Sequence, residues 1–352
     1  MRRPKDRDYV ETVEGLLFCL IGYLHPPWGY TAYLKYVPRP GGKWSRGGVQ
    51  YQRTLSYYHV IQVEETFKTL REHYPQYLFH CPIRNITISM VPRERVRRYY
   101  IPEDRLQEIL RGGGDELEEE VRCLVELLSD LSGVPARSFG VTGSILLGTH
   151  NPRFSDIDLT ILGTVASQRV KEALIEARRE GNTPIRGLTP GRAERWIEER
   201  MRRFPLRREE ARLFLERRWN YGYFGDRYFS IHPTRLDEEI REEYGERRYT
   251  PLGIAKGSCT ITSTREAIFL PSIYRVGEVE TEGWKDLDIR EVVSYEGLYT
   301  DVLQEGERAK FKGLIERVET EDGEPYHRVL IGSARLRGRD YIKPLVPKGG
   351  GP

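Results

Sequence analysis

Val141-Thr142-Gly143-Ser144, an interval of ten residues, and then Ser155-Asp156-Ile157-Asp158-Leu159 is the stretch around which the chain is organised. From Ser155 to Leu162 apolar and polar residues alternate, which predicts a strand. Residues two apart on a strand face the same side, so Asp156 and Asp158 are expected together, with Ile157 turned into the core. Two carboxylates held side by side repel unless a cation lies between them. Hard oxygen donors of this kind suit Mg²⁺ shared with a substrate phosphate, and Mn²⁺ would accept the same donors. Gly143-Ser144 falls where a short strand, Ser138–Thr142, turns into a short apolar helix at Ile145–Leu147. Glycine lets a phosphate approach the main chain, Ser144 offers a hydroxyl, and the start of the helix offers unpaired N–H groups. A carboxylate pair beside such a turn outlines a site for a nucleoside triphosphate such as ATP.

Working outward, Pro102-Glu103-Asp104 opens a helix, and Asp115–Leu131 is amphipathic, with Leu117, Val121, Leu124, Val125 and Leu128 at helical spacing. Asp115 serves as N-cap and Ser132-Gly133 as the stop. Val165–Arg179 reads as a further helix. Tyr221–Phe224 and Arg227–His232 read as a hairpin with Gly225-Asp226 in the turn. Residues 103–240 therefore form an α/β domain. Residues 1–102 read as β-rich, with a buried strand over Gly15–Leu24, a returning strand over Tyr30–Val37 and a helix over Val63–His73. The many Tyr and Arg side chains of that segment are either core filler or a stacking surface for a nucleic-acid strand. Residues 241–346 read as a small β-barrel or sandwich, with a hairpin signal at Asp322-Gly323 between Lys310–Glu319 and Tyr326–Gly332. Residues 347–352 read as a disordered tail. The fold class is α+β: a central α/β domain with β-rich flanks.

The whole chain has 352 residues, 56 Lys+Arg, 53 Asp+Glu and a formal charge of +3, too mild a balance to declare a nucleic-acid partner. No run approaches the ~18–20 apolar residues of a membrane span, and the charged N-terminus is not that of a signal peptide. Cys19, Cys81, Cys123 and Cys259 are scattered without CxxC spacing, which argues against a zinc site or a disulfide framework. A cytoplasmic location is expected. Few Cys and Met beside dense opposite charges is the composition of ion-paired thermophile proteins. From Arg192 to Arg218 ten Arg face six Glu. These helices suit either a polyanion or an ion-paired surface. Lys310, Lys312, Arg317, Arg328, Arg335, Arg337 and Arg339 suggest an oligonucleotide surface on the C-terminal β domain, or a barrel that only packs.

The Gly143-Ser144 turn, the spacer and Asp156-Ile157-Asp158 with apolar flanks resemble the signature of the DNA polymerase beta-like nucleotidyltransferase superfamily, over roughly residues 115–235. The whole chain also resembles archaeal nucleotidyltransferase-domain proteins with β flanks. The resemblance implies that two Mg²⁺ ions are held by Asp156, Asp158 and the triphosphate. An acceptor hydroxyl attacks the α-phosphorus and pyrophosphate leaves. Gly143 and Ser144 would hold the outer phosphates, and the β flanks would hold an RNA or DNA acceptor.

A third carboxylate is normal on a later strand of that superfamily. The matching strand here, Tyr228–Pro233, has Ser230 at the expected position. His232 shares its face and is a candidate ligand or base. Asp226 is a second candidate for the missing acid. Without that acid the same fold would bind nucleotide or nucleic acid and transfer nothing, which is the alternative reading. Arg153 is a candidate phosphate partner, with an ion pair to a nearby Glu as its other reading. His150 and Lys171 are either phosphate contacts or, respectively, a loop histidine and a solvated helix residue. The sequence leaves the oligomeric state open.

Overall fold

A computed structural model describes residues 2–55, 59–321 and 323–345. In chain order the first segment gives β1 (Tyr9–Thr12), β2 (Leu17–Leu20), β3 (Gly29–Pro38), β4 (Trp44–Arg46) and β5 (Val49–Arg53). It continues with α1 (Val60–His73), β6 (Leu78–Cys81), β7 (Ile86–Pro92), β8 (Val96–Tyr100) and α2 (Pro102–Leu110). Next come α3 (Glu116–Ser132), β9 (Phe139–Val141), α4 (Gly143–Leu146), β10 (Ile157–Leu162), α5 (Thr164–Glu180) and β11 (Ile185–Arg186). Then follow α6 (Pro190–Arg203), α7 (Arg208–Arg217), β12 (Tyr221–Phe224) and β13 (Arg227–Thr234). The last strands are β14 (Arg247–Glu266), β15 (Ser272–Thr281), β16 (Ile289–Ser294), β17 (Arg308–Thr320), β18 (Tyr326–Ile331) and β19 (Tyr341–Pro344). The class is mixed α and β with several sheets.

Compactness groups the described residues into two units, each drawn from three chain segments. This differs from the expected division at 102 and 240. The first unit takes Met1–Ser56, Ser89–Thr189 and Trp219–Glu242, and the second takes Tyr57–Ile88, Pro190–Arg218 and Glu243–Pro352. The helices α6 and α7, expected within the α/β domain, belong with the C-terminal strands. The physical reason is their apolar face: Ile197, Phe204, Ala211 and Phe214 share one buried cluster with Cys259, Tyr274, Phe311 and Val329.

In the first unit, two sheets are built. One runs β4-β5-β3-β2-β1-β8, with β7 added to β3 through Met90–Pro92. The strand expected over Gly15–Leu24 shortens to Leu17–Leu20, because the Gly22 N–H is taken by Asp6 Oδ1 at 2.9 Å instead of by a neighbouring strand. The other sheet runs β11-β12-β13-β10-β9. Its β10 and β13 are parallel, and β9 is antiparallel to β10. The expected α3 forms with its Asp115 cap, whose Oδ1 accepts the Glu118 N–H at 3.0 Å, and ends on Gly133 at φ 65°. All five residues of its predicted apolar stripe are buried. Gly140 on β9 has room for no side chain: a Cβ there would lie 2.4 Å from Thr160 Oγ1 and 2.7 Å from Pro102 Cβ. That close approach seats the start of α2 on the sheet.

In the second unit, α1 begins at Val60, three residues ahead of the expected Val63, because His59 Nδ1 accepts the Ile61 N–H and caps it. The C-terminal strands close as a barrel, not a sandwich. The ring runs β14-β15-β16-β18-β17 and back to β14, with β19 attached to β17. Among the described residues its one parallel pair is β16 with β18. The hairpin β17–β18 forms as expected, although Asp322 of its turn lies outside the described residues, as does the 347–352 tail. The basic side chains are largely engaged. Arg207 pairs with Glu210, Arg208 with Glu194 and Arg217 with Glu307. On the barrel, Arg328 pairs with Glu316 and Arg317 with Glu319. Among the described residues this is chiefly an ion-paired surface.

The deepest of these pairs joins α7 to the barrel. Glu210 is fully buried and accepts from Lys343 Nζ at 2.8 Å and Lys310 Nζ at 2.9 Å. Burial alone would raise its carboxyl, but the Arg207 N–H and both ammonium groups hold it down at about 2. A depressed native value stabilises above the unfolded pKa and is lost as pH falls through the native one. Glu210→Gln should therefore cost about 3–5 kcal/mol at pH 7, the usual penalty for orphaning a buried partner. Denaturant unfolding checks it, and the difference from the native chain should shrink between pH 4.5 and about 2.

Candidate functional site: two carboxylates on a parallel strand pair

The register of β10 on β13 sets Asp158 opposite Ser230 and Thr160 opposite His232. Ser230 Oγ donates to Asp158 Oδ1 at 2.5 Å and lies 2.9 Å from His232 Nε2. Serine has one hydroxyl hydrogen, and the carboxylate can only accept it. Nε2 therefore carries the hydrogen of the second bond and donates to Ser230. In this arrangement the imidazole orients the hydroxyl and has no lone pair at Nε2 to act as a base or ligand. Burial, with the charge of Arg7 added, pushes His232 down to about 4, against the opposing pull of Asp158. Asp226 is in the exposed β12–β13 turn, and the register brings Ser230 rather than Asp226 against Asp158.

Asp158 is half-buried. Burial pushes its carboxyl up, but His232, the Ser230 hydroxyl and Lys35 more than offset this and hold it well below the usual carboxylate range. Gly143 has φ 68°, and a Cβ on it would come within 2.8 Å of Asp158 Oδ2. A left-handed backbone and that close carboxylate together require glycine here. The helix that follows is a single turn, Gly143–Leu146, and Ser144 Oγ makes no hydrogen bond among the described residues. The turn is fixed from behind: Thr142 Oγ1 donates to Arg7 O at 2.8 Å, and Arg46 donates to Leu147 O at 3.0 Å while pairing with Glu11.

Asp156 does not lie on the strand. β10 begins at Ile157 because the turn before it is closed on itself, Ser155 N–H to Asn151 O at 2.9 Å and Asn151 N–H to Ser155 Oγ at 3.0 Å. Arg227 clamps this turn, donating to Ser155 O at 3.1 Å and forking onto Glu120 with both contacts at 2.9 Å. Asp156 reaches solvent, yet the protein packed around it and then the charge of Asp158 push it up to about 6, against Arg227, Arg53 and Lys43. Arg153 is exposed and has no ion pair among the described residues. His150 Nε2 is 2.8 Å from Asp115 Oδ2, a contact to the cap of α3. Lys171 lies on α5.

Cations of β3 and β5 act on these acids, Lys35 on Asp158 and Arg53 on Asp156, and the sequence did not single them out. Lys35 and Tyr36 are consecutive on β3, and Tyr36 pairs with Arg53 on β5. Burial, with Arg53 nearby, pushes Lys35 down to about 7 against the pull of Asp158. Arg53 bears on Asp156, and its Nε is buried without a hydrogen-bond partner among the described residues. Nothing in the spacing of residues 35–53 announces a partner more than a hundred positions away. The one usable signal was the density of Tyr and Arg. Most of those tyrosines are core: Tyr9, Tyr33, Tyr36 and Tyr51 are buried. Among the described residues no group of three or more His, Cys, Asp or Glu side chains is arranged to hold a metal ion. The four cysteines are free thiols. Among the described residues no helix is long and apolar enough to cross a membrane.

No family model matches the chain, and no solved structure matches it. An uncharacterized protein of the archaeon Methanocaldococcus jannaschii, MJ1086, is 33% identical over 344 residues, which cover 96% of this chain and 98% of that one. The chain belongs to the family of MJ1086.

A raised native pKa costs stability once the carboxyl ionises, so native stability falls as pH rises through it. Asp156→Asn should thus stabilise the metal-free protein at pH 8 by about 0.5–1 kcal/mol, discounted for exposure, and leave it unchanged at pH 4. Thermal unfolding in EDTA tests this, and loss of stability at pH 8 would identify Asp156 as a structural ion-pair partner instead.

Proposed function

We propose that this protein is a metal-dependent nucleotidyltransferase of the DNA polymerase beta-like kind. It moves a nucleoside monophosphate from a nucleoside triphosphate to an acceptor hydroxyl, with RNA or DNA as the acceptor. The observation that carries the reading is the convergence of Gly143, Asp158 and Ser230 on one point of the β10–β13 pair, with Asp156 close enough for the Asp158 charge to raise it. The order β9-turn-β10 with a parallel β13 supports the same reading.

The donor set fits one divalent cation. Asp156 and Asp158 supply hard oxygens whose mutual repulsion a cation relieves. When bound, Mg²⁺ or Mn²⁺ would draw charge from the transferring phosphoryl group. Asp158, kept ionised by its neighbours, and Asp156 would hold it. Arg53, whose buried Nε has no hydrogen-bond partner among the described residues, and Lys35 would neutralise the phosphates. Gly143 would leave room for a phosphate at the main chain, and the Ser144 hydroxyl would donate to it. The acceptor oxygen bonds to the α-phosphorus, the bond to the β-phosphate breaks, pyrophosphate leaves, and the hydroxyl proton is lost to solvent. The small barrel of the second unit supports a nucleic-acid acceptor, because small barrels include ones that bind oligonucleotides and oligosaccharides. The ion-paired Arg helices weigh against a role for them in that binding.

A second reading rests on Ser230. It occupies the place of a third carboxylate, and a fold so altered would bind nucleotide or nucleic acid without transfer.

One experiment separates the two. The protein is incubated hot with Mg²⁺ or Mn²⁺, each α-labelled nucleoside triphosphate and a pool of RNA, DNA and tRNA. Transfer of label, reduced at least a hundredfold in Asp158→Ala, is expected. Equal transfer by Asp158→Ala contradicts the site. No transfer by the native chain, with transfer gained in Ser230→Asp, establishes the binding module.

A further inference from the structure

β4 is an edge strand of three residues. Trp44 and Arg46 are two apart on it, so they face the same side. Arg46 donates to Leu147 O, just after the turn that carries Gly143-Ser144, and pairs with Glu11 of β1. Trp44 is thereby brought to the loop between that turn and Asp156. Its ring lies edge-on to Phe154 at 6.4 Å between centroids and to Tyr36 at 5.5 Å. Lys43 Nζ stands 4.0 Å over the Phe154 ring and 5.7 Å from the Trp44 ring.

Phe154 is 36% exposed, and Trp44 is half-buried. A single exposed aromatic needs no explanation. Here two rings and an ammonium group are contiguous, and Phe154 is two residues from Asp156. The Lys43 charge is felt at the Asp156 carboxyl. No core depends on Phe154, which sits at the tip of a loop whose main chain is already fixed by Asn151, Ser155 and Arg227. Aromatic faces beside cations are what a nucleobase stacks on, and such stacking tolerates any base because every base has a π-face.

We propose that Phe154, braced edge-on by Trp44, is the stacking platform for the base of the donor nucleoside triphosphate, with Lys43 leaving the ring for its phosphates. The inference rests on the transferase reading above and adds the subsite for the base. Its geometry follows from that site: a nucleotide whose α-phosphorus lies at Asp156 and Asp158 has its base one ribose away, and Phe154, two residues from Asp156 in sequence, is a partly exposed aromatic on that loop. Stacking without hydrogen-bond readout implies weak discrimination among the four bases.

Calorimetric titration with Mg²⁺ present tests it. The ligands are ATP, inorganic tripolyphosphate and a tri-adenylate RNA, and the proteins are the native chain, Phe154→Ala, Trp44→Ala and Trp44→Phe. Phe154 is exposed, so its variant folds without a core penalty. Expected is an ATP Kd raised about tenfold in Phe154→Ala and in Trp44→Ala, the change that loss of ~1.4 kcal/mol of stacking gives. Tripolyphosphate binding should be unchanged, and Trp44→Phe should stay within about threefold of native. Equal ATP binding by Phe154→Ala and native protein overturns the platform while leaving the transferase reading standing. A loss of tri-adenylate binding with ATP binding intact overturns it also, and gives the rings to the acceptor. A native chain that binds neither ATP nor tripolyphosphate overturns both readings.

Discussion

The hydrogen bond from Ser230 to Asp158 across the parallel β10–β13 pair is the contact on which the site depends. It exists because the strands pair in one register, and a slip of a single residue would turn Asp158 to the opposite face of the sheet. Once Asp158 is placed, much else is dictated. Gly143 must lack a side chain, Asp156 must meet a like charge, and the buried Lys35 of β3 finds an ionised partner. Parallel strands need coverage on both faces, and α2, α3, α5 and the β4–β8 sheet of the same unit supply buried residues for it.

The N-terminal segment is as much a part of this site as the turn itself. Asp8 is fully buried, holding Arg2 at 2.6 and 2.8 Å and accepting from Tyr99 Oη at 2.6 Å. That knot fixes the chain where Arg7 meets Thr142 through its carbonyl and acts on His232 through its charge. A compact unit drawn from three distant chain segments follows directly. The N-terminal sheet does not pack as a separate module, because its polar and charged side chains satisfy those of the carboxylate region.

Much of the local structure was legible in the sequence. The caps and apolar stripe of α3 lie within a residue of the expected bounds, and the β12–β13 hairpin turns at Gly225-Asp226. Such features are set by neighbours along the chain. Ser230 was singled out only because the resemblance puts a third carboxylate at its place on the later strand; its hydrogen bond to Asp158, 72 residues away, was not foreseen. What was not legible came from distance. The departure of α6 and α7 to the barrel depends on which apolar surface they meet, and the alternating Arg and Glu pattern conceals that. Asp156 was expected on the strand. A side-chain bond from Ser155 and the reach of Arg227 closed the turn first. The roles of Lys35, Arg53 and Trp44 arise only from packing, since an isolated basic or aromatic strand residue carries no mark of the acid it will face.

The proposed transfer requires a metal–nucleotide on the carboxylate pair. Crystals of the protein grown with Mn²⁺ and a non-hydrolysable ATP analogue would show this by anomalous scattering. The predicted result is one Mn²⁺ peak within coordination distance of both the Asp156 and Asp158 carboxylates, with the triphosphate lying over Gly143-Ser144. A nucleotide bound elsewhere, or a carboxylate pair without Mn²⁺ while Ser230 still donates to Asp158, would contradict it.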